Sequence, residues 1–415
     1  MPSRSPPERR PRRILILEPD AEGHSLEWLQ HLVAFTTADK SAASLCIAAP
    51  AELCDTLARS TPPQLDHRIG LLRLLPREQE RCTQRSLVVA SFARWSVMRR
   101  YLRLSGADAG FFLSIDLLSL PLALGLGLDG RPVSGILFRP SIHYRTLGNY
   151  RPSLKEKLRD LRKDLLYRLM LRNRHVRTVL SLDPFFPRHA ASHYAGGGKV
   201  LALPDPAFPL AASPCKGAGI ADFPPAGRTG MLLFGYLTER KGPLVVLEAL
   251  RLLPSKVAER VAVLFAGRTD PEIRAALEAR RSSLQREQPQ LWFQIEDRRL
   301  ERDELEALVA QSDVVLAPYQ RFVGSSGVLL WAARAGRPVL AQDFGLVGRL
   351  IRDHRLGAVA DASDPAALAH AIERMVVEGP QSFIDTSSAK RFAAARTPDH
   401  FAAAVLSSLS SAMAS

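Results

Sequence analysis

Cysteine is scarce in this sequence, and its spacing carries no metal or disulfide signature. Four of the 415 residues are cysteines: Cys46, Cys54, Cys82 and Cys215. Their positions form neither the close pairs of a zinc site nor a framework of disulfides. No Asp-x-Asp stands at a predicted strand end in a way that suggests a metal site. We therefore expect buried, reduced thiols in a cytosolic protein that needs no metal ion.

Long apolar runs are also missing. The longest, Leu113–Leu128, contains Asp116 and Pro121, whereas a helix that spans a membrane needs about 20 mostly apolar residues. The chain starts with MPSRSPPERRPRR, which is basic and rich in proline, and no apolar core resembling a signal peptide follows it. We expect residues 1–12 to form a disordered basic arm and the protein to be cytoplasmic.

Acidic residues are few in the first half of the chain. Residues 1–200 contain 31 Lys and Arg against 18 Asp and Glu, whereas the remaining residues contain 25 against 24. A basic surface favours an anionic acceptor or membrane as its partner. Nucleic acid is not the expected partner, because the sequence has no basic motif interleaved with aromatic residues and no zinc module.

One basic helix is predicted within residues 151–177, which hold ten Lys and Arg and three acids. Leucine recurs there at helical spacing, at Leu154, Leu158, Leu161, Leu165 and Leu169. Such a helix can lie on an anionic membrane, here as a peripheral contact at its inner face. Alternatively, the leucines pack into the domain and the arginines are solvated, which the narrow stripe and its lack of Trp and Phe favour. Both interpretations stay open.

Short apolar runs alternate with helical patterns along the chain, which is typical of α/β folds with parallel sheets. Strands are predicted at Ile14–Leu17, Ser44–Ala48, Gly110–Ile115, Gly135–Phe138, Val176–Leu180, Met231–Gly235, Val261–Ala266, Leu291–Ile295, Asp313–Ala317 and Pro338–Ala341. The length fits two domains. We predict them at residues 13–203 and 231–398, with a Pro- and Gly-rich linker at 204–230 and a helical tail at 399–415.

The segment Asp313–Gly345 contains the most informative pattern. A strand ends at Pro318, the small residues Gly-Ser-Ser-Gly follow, and a helical run begins near Val328. Ser325 or Ser326 can cap that helix, leaving free N–H groups at its start. A helix start reached through such a loop is an anion site in many proteins, although an ordinary strand–helix turn has the same pattern.

A second segment, Met231–Gly242, places a lysine where another strand passes into a helix. The strand runs into Gly235, and Arg240 and Lys241 precede the helix. A compact ammonium suits a diphosphate. In open α/β sheets, ligands bind outside the carboxyl ends of the strands. We therefore expect the two segments to face one phosphate group.

Together these segments resemble the nucleotide-sugar half of retaining GT-B glycosyltransferases of the group 1, family 4-like type. That family has Gly-Arg, then Lys-Gly, and later a Gly-rich loop and a helix ending in Ala-x-Gly-x-Pro-Val. The matching positions are Gly235, Lys241, Gly242, Gly327, Gly336, Pro338 and Val339, and the family's Ala-x-Gly reads Arg334-Ala335-Gly336 here. The resemblance covers residues 229–398 well and the amino half loosely. It implies an α/β fold of GT-B class, two Rossmann-like domains with a cleft between them.

Two positions depart from the family pattern. The Gly-Arg pair reads Gly235-Tyr236 here, with Arg240 as a substitute cation. The family's two glutamates, separated by seven residues, fall on Val323 and Trp331. In the family the second glutamate holds the donor ribose and the first lies near the donor sugar.

The resemblance also implies site residues. His143, just after a predicted strand, is expected to contact the donor sugar from across the cleft, and His24 lies in the first amino-domain loop that the family directs at donor and acceptor. On residue chemistry alone, a structural histidine bonded to backbone is an equal alternative for His143, whereas a solvated polar residue is the favoured interpretation of His24. The donor-binding residues are expected to be Gly235, Arg240, Lys241, Ser325, Ser326, Gly327, Val328 and Trp331.

The implied activity is retaining, metal-independent transfer of a hexose-type sugar to a glycan or lipid-linked acceptor of the cell surface. The donor is a UDP- or GDP-linked nucleotide sugar, and no further cofactor is expected. The alternative is a catalytically degenerate GT-B subunit that binds a nucleotide, a glycan or a partner transferase, because Val323 and Trp331 are not acidic. A sugar-nucleotide epimerase is disfavoured, since its acid and base groups cannot be assembled here.

Overall fold

A computed structural model describes residues 12–20, 25–38, 43–60, 68–138, 140–148, 152–206 and 223–412. Contacts divide the chain into two compact units. The first comprises residues 1–142, 153–206 and 398–415, and the second comprises 143–152 and 207–397. Most of the predicted arm and of the predicted linker lies outside the described residues, so those two boundaries stay predictions.

The first unit is built on a parallel sheet of seven strands in the order β3-β2-β1-β4-β5-β6-β7. Ile14 and Ile16 of the central strand pack on one side of the sheet, and Leu15 and Leu17 pack on the other. Both faces are therefore covered, as in Rossmann-like folds. The strands are β1 Arg13–Leu17, β2 Ser44–Ala49, β3 Ile69–Arg73, β4 Ala109–Phe112, β5 Val133–Leu137, β6 Val176–Ser181 and β7 Val200–Ala202.

Helices connect these strands. They are α1 Ser25–Thr37, α2 Ala51–Ser60, α3 Pro76–Cys82, α4 Leu87–Ser105, α5 Ser119–Ala123, α6 Leu154–Arg172 and α7 Phe186–His193. Cys46, Cys54 and Cys82 are free and buried, as expected, and Cys215 lies outside the described residues.

The second unit is built on a parallel sheet of six strands in the order β10-β9-β8-β11-β12-β13. Its strands are β8 Thr229–Phe234, β9 Val261–Ala266, β10 Trp292–Glu296, β11 Val314–Ala317, β12 Val339–Gln342 and β13 Gly357–Ala360. Its helices are α8 Pro243–Arg251, α9 Ser255–Ala258, α10 Pro271–Glu287, α11 Arg302–Gln311, α12 Gly327–Arg334, α13 Gly345–His354, α14 Pro365–Glu378 and α15 Thr386–Ala394. The sequence order reverses between β8 and β11, so the carboxyl ends of these two strands are adjacent.

The last helix, α16 Pro398–Ala412, belongs to the first unit. Phe401 and Val405 are buried in the same core layer as Trp28 of α1, and the rings of Trp28 and Phe401 lie 5.1 Å apart. The predicted helix in the tail is thus observed, and its apolar face is used in packing.

Each predicted strand overlaps an observed one. Gly110–Ile115 is too long, because the strand ends at Phe112 and a 3₁₀ turn begins at Ile115. Three strands escaped prediction: β3, β7 and β13. Each lies at a sheet edge and is only partly buried, so none shows the continuous apolar run of a strand covered on both faces.

Of the two interpretations of the leucine stripe of α6, the one in which it packs into its domain is wrong. Leu154, Leu158, Leu161, Leu165 and Leu169 are all exposed. The buried side of α6 is formed instead by Asp160, Tyr167, Met170 and Leu171. Tyr167 and Asp160 hold that side by hydrogen bonds, from the Tyr167 hydroxyl to Asp116 Oδ1 (3.2 Å) and from the Ser141 hydroxyl to Asp160 Oδ1 (2.8 Å).

This orientation gives a stability prediction. Leu171→Ala should lower the free energy of unfolding by about 2–5 kcal/mol, because it leaves a cavity in the core. Leu161→Ala should change it by less than about 0.5 kcal/mol, because that side chain already contacts solvent. Urea unfolding of both variants tests this, and equal losses would mean that the stripe is buried after all.

Candidate functional site

Lys241 lies at the carboxyl end of β8. A 3₁₀ turn, Glu239–Lys241, follows the loop after the strand, and α8 begins at Pro243. The ammonium Nζ reaches back and donates a hydrogen bond to the carbonyl oxygen of Phe234, at 2.6 Å. It also stands over two aromatic rings, 5.8 Å from the centre of Phe234 and 5.9 Å from that of Tyr319. The positive charge is therefore fixed beside the ends of β8 and β11.

Two glycines make this placement possible. Gly235 has φ +94°, and a Cβ there would lie 2.6 Å from Lys241 Nζ. Gly242 has φ +77°, and a Cβ there would lie 2.3 Å from the carbonyl oxygen of Pro318. Positive φ and close backbone approach both favour glycine. The Lys-Gly pair thus presses the turn before α8 onto the end of β11.

The environment of Lys241 disfavours the protonated, charged form of its side chain. Burial, and then the neighbouring charge of Arg240, lower its pKa to about 8. Its hydrogen-bond acceptor is a neutral carbonyl. An anion bound next to Nζ would favour the protonated form again.

Ser326 starts α12 and is linked to the lysine by one tyrosine. The Ser326 hydroxyl accepts a hydrogen bond from the backbone N–H of Val328 at 3.3 Å, which confirms the predicted cap. The Ser326 and Tyr319 hydroxyls are hydrogen-bonded at 2.7 Å. Because Lys241 stands over the Tyr319 ring, the two segments singled out in the sequence meet in one cluster.

Around the start of α12 there is free space. A Cβ built on Gly327 would have no heavy atom within 4 Å, outside its own chain neighbours and helix backbone. Ser325 is half-buried, and Val328 is buried beneath the first turn. An anion can therefore approach this helix start without displacing a side chain packed on Gly327.

Gln342 fixes the loop that carries Tyr319, a role that the sequence pattern did not predict. This side chain is fully buried at the end of β12. Its Oε1 accepts from the backbone N–H of Tyr319 (3.2 Å) and its Nε2 donates to the carbonyl oxygen of Phe322 (3.2 Å). The available signal was a polar residue directly after the apolar run Pro338–Ala341.

Neither Val323 nor Trp331, the two positions where the family has glutamates, brings an acid to this cluster. Trp331 is half-buried and meets the Phe234 ring edge to face, at 6.5 Å between ring centres. Val323 accepts a hydrogen bond from the backbone N–H of Leu346 (2.9 Å) and so fixes the start of α13. Arg240 is exposed, and its guanidinium stands over the Phe322 ring at 4.7 Å.

His143 belongs to the second unit, although it follows a strand of the first. It is buried in the 3₁₀ turn Ser141–Thr146, and its ring lies 4.9 Å from that of Tyr144. A Cβ on Gly148 of the same segment would lie 2.6 Å from the carbonyl oxygen of Asp343, directly after β12. The segment thus packs at the edge of the sheet where the Lys241 cluster lies. His24 lies outside the described residues.

A buried acid directly after β1 also escaped prediction. Glu18 follows β1, and its Oε1 accepts from the backbone N–H of Asp20 at 2.9 Å. Burial raises the pKa of Glu18 to about 7. The carboxyl end of the central strand in the first unit therefore holds a group that titrates near neutral pH. The sequence signal was an acid that ends an apolar strand.

Comparison with known proteins assigns a family likeness to the second unit. Residues 228–378 match the profile of the family described as Glycosyl transferases group 1. Over 153 residues the chain is 32% identical to phosphatidyl-myo-inositol mannosyltransferase of Mycobacterium leprae (strain TN). The carboxyl half resembles group 1 glycosyltransferases. The match to the mannosyltransferase covers 37% of this chain and 38% of that protein, so it spans little more than a third of either.

Solved structures extend the likeness in fold to the whole chain. Anabaena HepE, solved with UDP and glucose, superposes with a TM-score of 0.66 at 13% identity over 96% of this chain and all of that one. WaaG, a glycosyltransferase of lipopolysaccharide biosynthesis, superposes with a TM-score of 0.61 at 14% identity over 95% and 98%. At these identities the likeness concerns the fold, and it confirms the predicted GT-B class with two Rossmann-like units.

The glycines of the site give a first prediction. Gly242→Ala should lower the free energy of unfolding by at least about 2 kcal/mol, because it combines positive φ with a clash against the Pro318 carbonyl. Gly327→Ala is the matched control and should change it by less than about 0.5 kcal/mol, since its Cβ enters open space. Thermal or urea unfolding distinguishes them, and a tolerated Gly242→Ala would contradict the close approach.

Lys241 gives a pH-dependent prediction. Its pKa is about 8 in the folded protein against 10.5 ordinarily, so between these values the unfolded chain binds more protons and the free energy of unfolding rises with pH. The unfavourable contribution is fully present below about pH 8 and is relieved above it. Relative to Lys241→Met, the wild type should therefore gain stability between about pH 8 and pH 10.

Urea unfolding of wild type and variant at each pH measures that difference. Lys256→Met serves as the control, because Lys256 is exposed on α9. A difference between wild type and Lys241→Met that stays constant across this range would mean that Lys241 titrates normally.

Proposed function

We propose that the chain transfers a sugar from a nucleoside diphosphate sugar to an acceptor. The observation that carries the proposal is the Lys241 ammonium joined through Tyr319 to the capped start of α12. Two sources of positive potential thereby share one strand-end site, the position where open α/β sheets bind ligands. The match to group 1 glycosyltransferases supports the same reading.

In this proposal the leaving diphosphate is the group that the site stabilises. Lys241 faces its developing negative charge, and the positive end of the helix dipole at the start of α12 adds to the stabilisation. Arg240 adds charge from the exposed side. Transfer proceeds with retention and without a metal ion or further cofactor, and the donor is UDP- or GDP-linked. HepE, whose structure contains UDP and glucose, makes UDP the first nucleotide to test.

The acceptor that we propose is a glycan or a lipid-linked molecule used in cell-surface polysaccharide synthesis on the cytoplasmic side. Two similar proteins, by their names, act on phosphatidyl-myo-inositol and in lipopolysaccharide biosynthesis. The excess of basic residues in the first 200 positions favours an anionic acceptor. His143 is proposed to face the donor sugar, and Glu18 is a further titratable group on the first unit.

A second candidate is a subunit that binds the nucleotide without turnover. It is favoured by Val323 and Trp331, where acids hold the donor in the family that the sequence resembles. Trp331 has instead an aromatic partner in Phe234. The two candidates share the diphosphate site and differ in catalysis, so binding and product formation must be measured separately.

We expect UDP or GDP, tested beside ADP, dTDP and CDP, to raise the melting temperature. A nucleotide at 100 times its dissociation constant stabilises the folded state by about 2.7 kcal/mol. Lys241→Ala should abolish this shift, whereas Lys256→Ala, which removes an exposed lysine of the same unit, should retain it. No shift with any nucleotide would count against the proposed site.

Product formation with the matching nucleotide hexoses then separates the candidates. Hydrolysis or transfer that is lost in Lys241→Ala and kept in Lys256→Ala supports the transferase. A thermal shift with no turnover on any donor supports the binding subunit.

A further inference from the structure

The outer face of α6 carries five exposed leucines in one row. Their exposed fractions are 82% for Leu154, 70% for Leu158, 67% for Leu161, 54% for Leu165 and 37% for Leu169. The spacing of four, three, four and four residues keeps them on one face of a helix, and the row extends over about 22 Å. Monomeric soluble proteins rarely expose such continuous apolar surface, so the row indicates a contact surface.

The row lies away from the side that attaches α6 to its unit. Tyr167, Met170 and Leu171 enter the core beneath the helix. A shallow groove runs along this outer face. Residues of α6 itself line it, among them Leu158, Leu161 and Leu165. None of the five leucines belongs to the core clusters of the described part of this unit, so their exposed apolar surface is available for another contact.

Basic residues border the leucines on both sides. With 3.6 residues per turn, Lys155, Arg159 and Arg162 follow one edge of the row, and Lys157 and Arg168 follow the other. All five are exposed. Arg159 and Arg168 approach Asp160 and Asp164 at 3.9 and 3.5 Å, but half of each arginine side chain remains in solvent.

The acids of α6 are turned toward the protein or its own cap. Asp160 accepts a hydrogen bond from the Ser141 hydroxyl, and Asp164 accepts one from the Tyr194 hydroxyl at 2.6 Å. Glu156 accepts from the backbone N–H of Ser153 at 2.8 Å, closing the capping box of the helix. The outward face therefore combines leucines with positive charge, which is the pattern of a helix that lies in an anionic lipid interface.

We propose that α6 docks the protein on an anionic membrane, with the leucine row among the acyl chains and the bordering Lys and Arg at the lipid phosphates. No helix among the described residues is long and apolar enough to cross a bilayer, so the contact is peripheral. Docking itself stands apart from the proposed function. Only its purpose, to bring the first unit to a lipid-linked acceptor, rests on that function.

Charge disfavours a second copy of this chain as the occupant. Two α6 helices that met through their leucine rows would bring basic borders against basic borders, and like charges across an interface are repulsive. Anionic lipid headgroups neutralise both borders at once.

The test is sedimentation of the full chain with phosphatidylcholine vesicles, with and without phosphatidylglycerol. We expect binding to the anionic vesicles that weakens as salt is added. The variant Leu158→Ser/Leu161→Ser/Leu165→Ser should bind them at least about tenfold more weakly, because the inserted apolar area is lost. Arg159→Gln/Arg162→Gln should reduce binding to anionic vesicles while leaving binding to neutral ones unchanged.

The matched control is Leu252→Ser/Val377→Ser, which removes exposed apolar side chains of the second unit, 56% and 62% exposed. It should bind vesicles as the wild type does. Unfolding and the nucleotide-induced thermal shift should be unchanged in the triple variant, so a folding defect or failure of the proposed function would be recognised separately. Vesicle binding that the triple variant retains would overturn the proposal. So would a wild-type dimer that binds no vesicles and dissociates in that variant.

Discussion

One hydrogen bond fixes the charged group at the strand ends of the second unit, the one from the Lys241 ammonium to the carbonyl oxygen of Phe234. At this edge of the parallel sheet, the neighbours of the charged ammonium are a neutral carbonyl oxygen and the faces of two aromatic rings. Such a group is desolvated without a full countercharge, which is why its pKa falls. An anion bound beside Nζ would supply the missing charge and favour the protonated lysine.

Close backbone contacts and buried hydrogen bonds around the ammonium hold it in place. Gly242 lets the turn before α8 approach Pro318, and Gln342 ties both ends of the next loop segment to β12. The Tyr319 hydroxyl is hydrogen-bonded to the Ser326 hydroxyl, which connects this loop to the start of α12. The positive groups are thus held by buried backbone contacts, so the ligand site that we propose is preorganised.

The sequence predicts those features of the fold and site that arise from residues close together in the chain, and it does not predict those that join distant segments. The strand Val261–Ala266 and the cap at Ser326 follow from local patterns, and both are observed as expected. Tyr319 and Gln342 act through contacts between separate strands, which no local pattern contains. The leucines of α6 show the same limit, since periodicity reveals an apolar face but only tertiary packing decides whether that face turns inward. Here Tyr167 and its neighbours take the buried side.

The two units use positive charge in opposite ways. Residues 201–415 have a nearly balanced count of charges, and in the second unit one half-buried lysine and one helix start act at short range in a poorly solvated site. In the first unit many exposed Lys and Arg act together at long range. Interactions of the exposed kind are screened by salt within about 8–10 Å, whereas those of a desolvated group are screened much less. Recognition of a small anion and attachment to a charged surface can therefore vary independently, which suits a protein proposed to take a soluble donor to a lipid-linked acceptor.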